Sequence, residues 1–311
     1  MSLNKEKILT IFESIDFWRI KDHPNILIAA NFWEEDRFYA AKVFYKYMRK
    51  IDDLIDNYKA VNKYIDPGKQ EEFTKFVAEW LMNLEKSTNN DSFQEELAQT
   101  VNTFRIPLWP MQDFARSMIY DINNNGFPTL KAFMEYSQGA SVAPASIFVH
   151  LCGLNTINEK YTTPSFDVKK TATPCAVFSY LVHIIRDFQK DQQANLNYFA
   201  DDFLLKYGLT RKQLGEFANG KPANSNLRNL IREYHNLADK YRLQTLDVLK
   251  KVKPLLQPRY QLSLEIIFNL YLMVFERINP DQGSFTSDEL NPAPEETRKR
   301  VYETIMQFTS R

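Results

Sequence analysis

Apolar residues recur along most of the chain at spacings of three and four, the signature of α-helices with one face in a core. The pattern predicts helices at roughly 4–17, 34–58, 69–86, 91–105, 110–123, 128–152, 166–192, 210–218, 224–252, 258–279 and 294–309. Helix-stopping chemistry lies between them, at Asp66-Pro67-Gly68, Ser87 to Asp91, Ile106-Pro107, Asn123 to Gly126 and Tyr161 to Pro164. Residues 280–294, with Asn279-Pro280-Asp281-Gln282-Gly283 at the start and Asn291-Pro292-Ala293-Pro294 at the end, form a predicted loop. Glycine is scarce, at 8 residues, and no alternating strand pattern of useful length occurs. No repeat, low-complexity tract or linker-like run divides the chain, so one all-α domain over residues 1–311 is expected.

Two helices carry something beyond packing. An α-helix advances about 100° per residue, so residues 38–58 sort into sectors. Phe44, Met48, Ile51, Ile55 and Tyr58 form a core stripe, widened by Tyr47 and Leu54, while Lys46, Lys50, Asp53 and Asn57 face the opposite way. Between these lies a sector of Phe38, Ala41, Tyr45, Arg49, Asp52 and Asp56: two carboxylates one turn apart, an arginine one turn back. Residues 166–192 repeat the design. Val177, Phe178, Leu181, Val182, Ile184, Ile185 and Phe188 make a buried face, and beside it lie Ala176, Tyr180, His183, Asp187 and Asp191. Carboxylates at i,i+4 also occur on solvated, salt-bridged faces, but next to an apolar stripe they need a compensating cation or donor.

Composition narrows the chemistry. Lys plus Arg and Asp plus Glu are equal at 39 each, so no overall field favours nucleic acid. The two cysteines, Cys152 and Cys175, form no disulfide framework and fit a reducing compartment; the four histidines lack zinc spacing. No signal-peptide pattern is present, and the best apolar run, Leu264 to Phe275, is interrupted by Glu265 and Asn269, so a cytoplasmic protein is expected. The 23 Phe and 16 Tyr serve packing and also suit a cavity for a long apolar ligand. Four carboxylates facing one another call for hard divalent cations, and Mg²⁺ characteristically bridges one or two carboxylates to substrate phosphates. Arg49 would add a charge-assisted hold on phosphate oxygens. A metal-free acid/base carboxylate pair would need no such duplication.

The run from Phe44 to Asp56 resembles the first aspartate-rich motif of the squalene/phytoene synthase family, and His183-Ile184-Ile185-Arg186-Asp187-Phe188-Gln189-Lys190-Asp191 resembles the second. Asp121, the segment Tyr136-Ser137-Gln138-Gly139-Ala140-Ser141-Val142-Ala143 and Tyr271 are similar to further family features, over about residues 35–275. The resemblance implies an isoprenoid synthase helical bundle around a central cavity and head-to-head condensation of two prenyl diphosphates. It implies that Asp52, Asp56, Asp187 and Asp191 hold Mg²⁺, and that Tyr45, Arg49, Arg186 and Tyr271 contact or orient diphosphate. The small residues around Gly139 and Val142 either let an isoprenoid tail approach the backbone or let helices pack closely. A lipid product implies peripheral contact with a membrane surface, although no stretch specifies it. A nicotinamide cofactor for reducing the product is not assigned by any motif.

Several positions depart from the family pattern. Tyr180 and His183 stand where Gln and Asn are usual, and His183 serves either as a replacement contact or as a hydrogen-bonded wall residue. Leu196 stands in place of an Arg in the run Asn195-Leu196-Asn197-Tyr198-Phe199-Ala200, which also lacks its Pro. His23-Pro24-Asn25-Ile26 replaces a Ser/Lys-rich entry segment, and Arg298, Lys299 and Arg300 match the late basic residues only loosely. These changes leave two alternatives beside the two-substrate enzyme: a terpene synthase using a single prenyl diphosphate, or a non-catalytic isoprenoid- or protein-binding relative.

Overall fold

The computed structural model describes residues 4–20, 25–86 and 92–310. The turn expected at Ser87 to Asp91, and His23-Pro24, lie outside them. In chain order the helices are α1 (Lys5–Ser14), α2 (Asn25–Ala30), α3 (Glu35–Asn62), α4 (Pro67–Lys86), α5 (Ser92–Thr103), α6 (Trp109–Asn123), α7 (Leu130–Ser137) and α8 (Ala143–Gly153). A hairpin of β1 (Asn155–Ile157) and β2 (Lys160–Thr162) follows. Then come α9 (Val168–Arg186), α10 (Phe188–Gln193), α11 (Asp201–Lys206), α12 (Arg211–Ala218), α13 (Ser225–Val252), α14 (Pro258–Phe275), α15 (Ser287–Leu290) and α16 (Pro294–Thr309).

The all-α expectation holds, and the departures have local causes. The helix predicted over 128–152 is interrupted by a π-helical turn at Gln138–Val142. Pro144 supplies no N–H to the preceding turn and its ring crowds the carbonyl four residues back, which favours a widened turn there. The helix predicted over 166–192 breaks at Asp187 (φ −91°, ψ 6°) into α9 and α10, yet Asp191 N–H still donates to Asp187 O at 2.8 Å. The hairpin turns through Asn158 and Glu159, both at positive φ (48° and 62°), as a tight two-residue connection requires. Inside the expected loop 280–294, α15 forms because Glu289 folds back to accept from Ser284 N and Phe285 N, each at 2.7 Å.

The core stripes are buried, except that Met48, Leu54 and Tyr58 of the α3 stripe are only half-buried. Phe44, Tyr47, Ile51 and Ile55 on α3, and Val177, Phe178, Leu181, Val182, Ile184 and Ile185 on α9, are inaccessible or nearly so. Helix α3 packs on α2, α5, α6 and α8, while α9 packs on α8, α13 and α14. Helix α8 therefore touches both motif-bearing helices, and between those two lies a cavity of about 460 Å³. Lys59, buried on α3, ties that helix to α6: its ammonium donates to the Asp121 carboxylate at 2.6 Å and to Asn124 O at 3.0 Å. No helix among the described residues is long and apolar enough to cross a membrane.

Candidate active site

Helix α3 presents Tyr45, Met48, Arg49, Asp52 and Asp56 to the cavity, and α9 with α10 presents Ala172, Cys175, Ala176, Tyr180, His183, Asp187 and Asp191. Along both walls the lining changes in the same chain direction, from apolar or aromatic to acidic. The cavity thus combines an oily part, to which Phe148, Leu249 and Leu264 also contribute lining, with a carboxylate end. Tyr271 on α14 completes the wall.

The two acidic faces sense each other. Asp52 is pushed up to about 6, first by burial and then by Asp121 and Asp53, against the pull of Arg49. Burial, then the charges of Asp52, Asp121 and Asp191, hold the Asp56 carboxyl well above its usual range. Asp191 is raised in the same way, by burial, by Asp187 and by Asp52 from the opposite wall. Asp187 differs. Burial opposes its charge, yet His183 and Arg186 hold its carboxyl far below the usual range. Arg186 grips both of its oxygens (Nε–Oδ1 2.7 Å, Nη2–Oδ2 2.8 Å), and His183 Nε2 lies 2.7 Å from Oδ2. On the other wall Arg49 bonds Asp52 Oδ2 at 3.1 Å and also Asp53.

Could these groups hold a divalent cation? The donors are carboxylate oxygens, suited to Mg²⁺. Among the described residues no three His, Cys, Asp or Glu side chains already converge on one point. Asp56 Oδ1, however, is buried without a hydrogen-bond partner, a costly state that a cation or a donor would relieve. Three carboxylates raised by burial and mutual repulsion, one with an orphaned oxygen, fit a cation.

Three expected residues stand elsewhere. Gly139 and Val142 are buried but do not line the cavity; their neighbours Ala140 and Ser141 do. A Cβ at Gly139 would sit 2.0 Å from Asp113 O and 2.3 Å from Ser117 Oγ, so this glycine serves the close approach to α6 rather than a ligand tail. Arg186 also lies off the cavity wall, buried against Asp187, about a 100° step around the helix from the carboxylate sector. Conversely, Asp53, placed on the solvent face from its wheel position, reaches the cavity rim through Arg49. Tyr136, Lys190 and Tyr198 line the cavity without having been singled out as site residues. Both tyrosines fall inside the motif runs, so the signal was present. Leu196 lines the cavity where the family pattern has Arg, whereas Arg298 pairs with Glu13, Lys299 with Glu303 and Arg300 with Glu276.

A single all-helical bundle around a cavity is the isoprenoid synthase-type fold. The squalene/phytoene synthase family profile matches residues 24–298, and the chain belongs to that family. It is a prenyltransferase. No curated protein matches it in sequence. Among solved structures it is similar to a dehydrosqualene synthase crystallised with a ligand, at 15% identity and a TM-score of 0.70, covering 98% of this chain and 99% of that one. It is also similar to the squalene synthase HpnC from Alicyclobacillus acidocaldarius, at 13% identity and TM-score 0.64 over 88% and 91% of the two chains. YisP from Bacillus subtilis subsp. subtilis strain 168 aligns at 14% identity and TM-score 0.58 over 96% of each chain.

Proposed function

We propose that this chain is a Mg²⁺-dependent prenyltransferase that joins two prenyl diphosphates, farnesyl or geranylgeranyl, head to head into a squalene- or phytoene-type product with release of diphosphate. The observation that carries the reading is the meeting of the two acidic faces across one cavity, with Asp56 and Asp191 each in the other wall's field. Asp52, Asp56 and Asp191, with Asp187 beside them, would hold the ions. When bound, Mg²⁺ would supply the positive charge that offsets the negative charge building on the leaving diphosphate.

The protein's own groups supply the rest. Arg49 and Lys190 place positive charge at the carboxylate end, where the diphosphate would be bound and oriented. Tyr45 and Tyr271 bring phenols to the same cavity, and burial raises the Tyr271 hydroxyl, which keeps it a neutral donor. The oily part holds the isoprenoid tails and excludes the water that would capture an allylic cation. In the condensation the C–O bond of one substrate breaks and the double bond of the other attacks the cation. Loss of a proton then closes a cyclopropyl diphosphate, whose own C–O bond breaks to release the second diphosphate. The resulting cation is quenched by proton loss to a hydrocarbon or by water to an alcohol. Product release would favour a lipid surface, which makes peripheral membrane contact part of this proposal.

The test is direct. Purified protein with Mg²⁺ and farnesyl or geranylgeranyl diphosphate should release diphosphate and give a C30 or C40 hydrocarbon or alcohol; absence of both defeats the reading. One observation favours a second reading. Leu196, not a cation, lines the cavity, and the late basic residues are tied to carboxylates elsewhere, leaving less positive charge for a second diphosphate. A terpene synthase acting on one substrate would be selected by products with that substrate's carbon count.

A further inference from the structure

At the step from oily to acidic lining on α9 stands Tyr180, between Ala176 and His183. Its ring is held in place from several sides. It stacks on Phe133 at 5.5 Å with planes only 7° apart, and stands steeply inclined to Tyr198 at 6.2 Å and to His183 at 6.5 Å. The Tyr136 ring lies 6.4 Å away, tilted by 33°. Tyr136, Tyr180 and Tyr198 therefore form a continuous aromatic wall on the cavity. Burial, then the nearby Asp121 and Asp52 charges, raise the Tyr180 phenol well above its usual value, so the wall stays neutral.

An aromatic face attracts a cation within about 6 Å of its centroid, more strongly where water is excluded. The glutamine usual at this position in the family offers polar atoms and no such face. We propose that Tyr180 is a substrate-facing specificity residue: its ring, backed by Phe133, holds the allylic cation formed on diphosphate loss and steers its capture toward carbon rather than water. This rests on the prenyltransferase reading above. Capture by the second double bond spends that alkene's π bond on a new C–C bond, moves the positive charge to the alkene's other carbon, and is completed by loss of a proton. Capture by water forms a C–O bond and releases a proton, giving a prenyl alcohol.

Full-length protein carrying Tyr180→Phe, Tyr180→Leu or Tyr180→Gln would be compared with the unmodified chain, with Mg²⁺ and the diphosphate it turns over. Diphosphate release gives kcat and KM, and chromatography with mass spectrometry gives the products. Loss of the ring in the Leu and Gln variants should lower kcat about 3- to 30-fold, leave KM within about 3-fold and raise the share of prenyl alcohol. The Phe variant should recover most of the lost kcat. Unchanged kcat and products in the Leu and Gln variants overturn the inference alone, as does a Phe variant that falls as far as Leu. Melting temperature and binding of an unreactive thiodiphosphate analogue separate cation holding from folding: a Leu variant that loses both points to a packing role and overturns the inference. An unmodified protein that releases no diphosphate from either substrate overturns the functional reading and this inference together.

Discussion

Asp187 and His183, one helical turn apart, are joined through Oδ2 and Nε2 at 2.7 Å, while Arg186 closes on the same carboxylate from its buried side. The carboxylate sits where α9 gives way to α10, four residues before Asp191 on the cavity wall.

That cluster makes Asp187 a stabilising charge at neutral pH. Because its folded-state carboxyl lies below its ordinary value near 4, the stabilisation is present above that value and is lost as pH falls below it. Asp187→Asn leaves Arg186 buried without its partner and should cost about 3–5 kcal/mol at pH 7. Urea unfolding at pH 7 and pH 3.5 should show the variant's deficit shrinking on acidification.

Asp52 has the opposite sign. A carboxyl raised to about 6 favours the fold while protonated, and that contribution is lost as pH rises from about 4 through 6. Asp52→Asn should therefore be as stable as the unmodified chain at pH 4 and more stable at pH 8. Mg²⁺ with inorganic diphosphate should raise the melting temperature more at pH 8 than at pH 5, since binding requires the ionised carboxylates. Equal shifts at both values would count against the cation site.

Lys59→Met tests the anchor between α3 and α6. It leaves Asp121 buried without its ammonium partner and should destabilise by about 3–5 kcal/mol, measured by denaturant unfolding. The double variant Lys59→Met/Asp121→Leu should recover much of that loss.

Gly139→Ala forces a methyl group into the Asp113 carbonyl and the Ser117 hydroxyl. Backbone on one side cannot yield cheaply, so a loss of about 1–3 kcal/mol or more is expected. An unchanged melting temperature would show that α6 and the π turn are free to separate.

Much of this was legible in the chain because it is local. The i,i+4 spacing of Asp52 with Asp56 and of Asp187 with Asp191 follows from helix period alone, as do the apolar stripes beside them, and the motif order points to one family. Breaks were less visible: Pro144 explains the π turn only once the helix around it is known, and nothing in the 166–192 pattern announces the turn at Asp187. The sequence by itself determined an all-helical chain with two acid-bearing faces, since backbone geometry dictates which residues share a side. Only the tertiary structure decided what each face meets: Arg186 turned inward to Asp187, Gly139 spent on helix contact, Leu196 on the cavity wall, and Tyr136, Tyr180 and Tyr198 gathered into one surface. Those outcomes depend on contacts between residues far apart in the chain, where packing and charge pairing, not periodicity, choose among the directions a side chain can take.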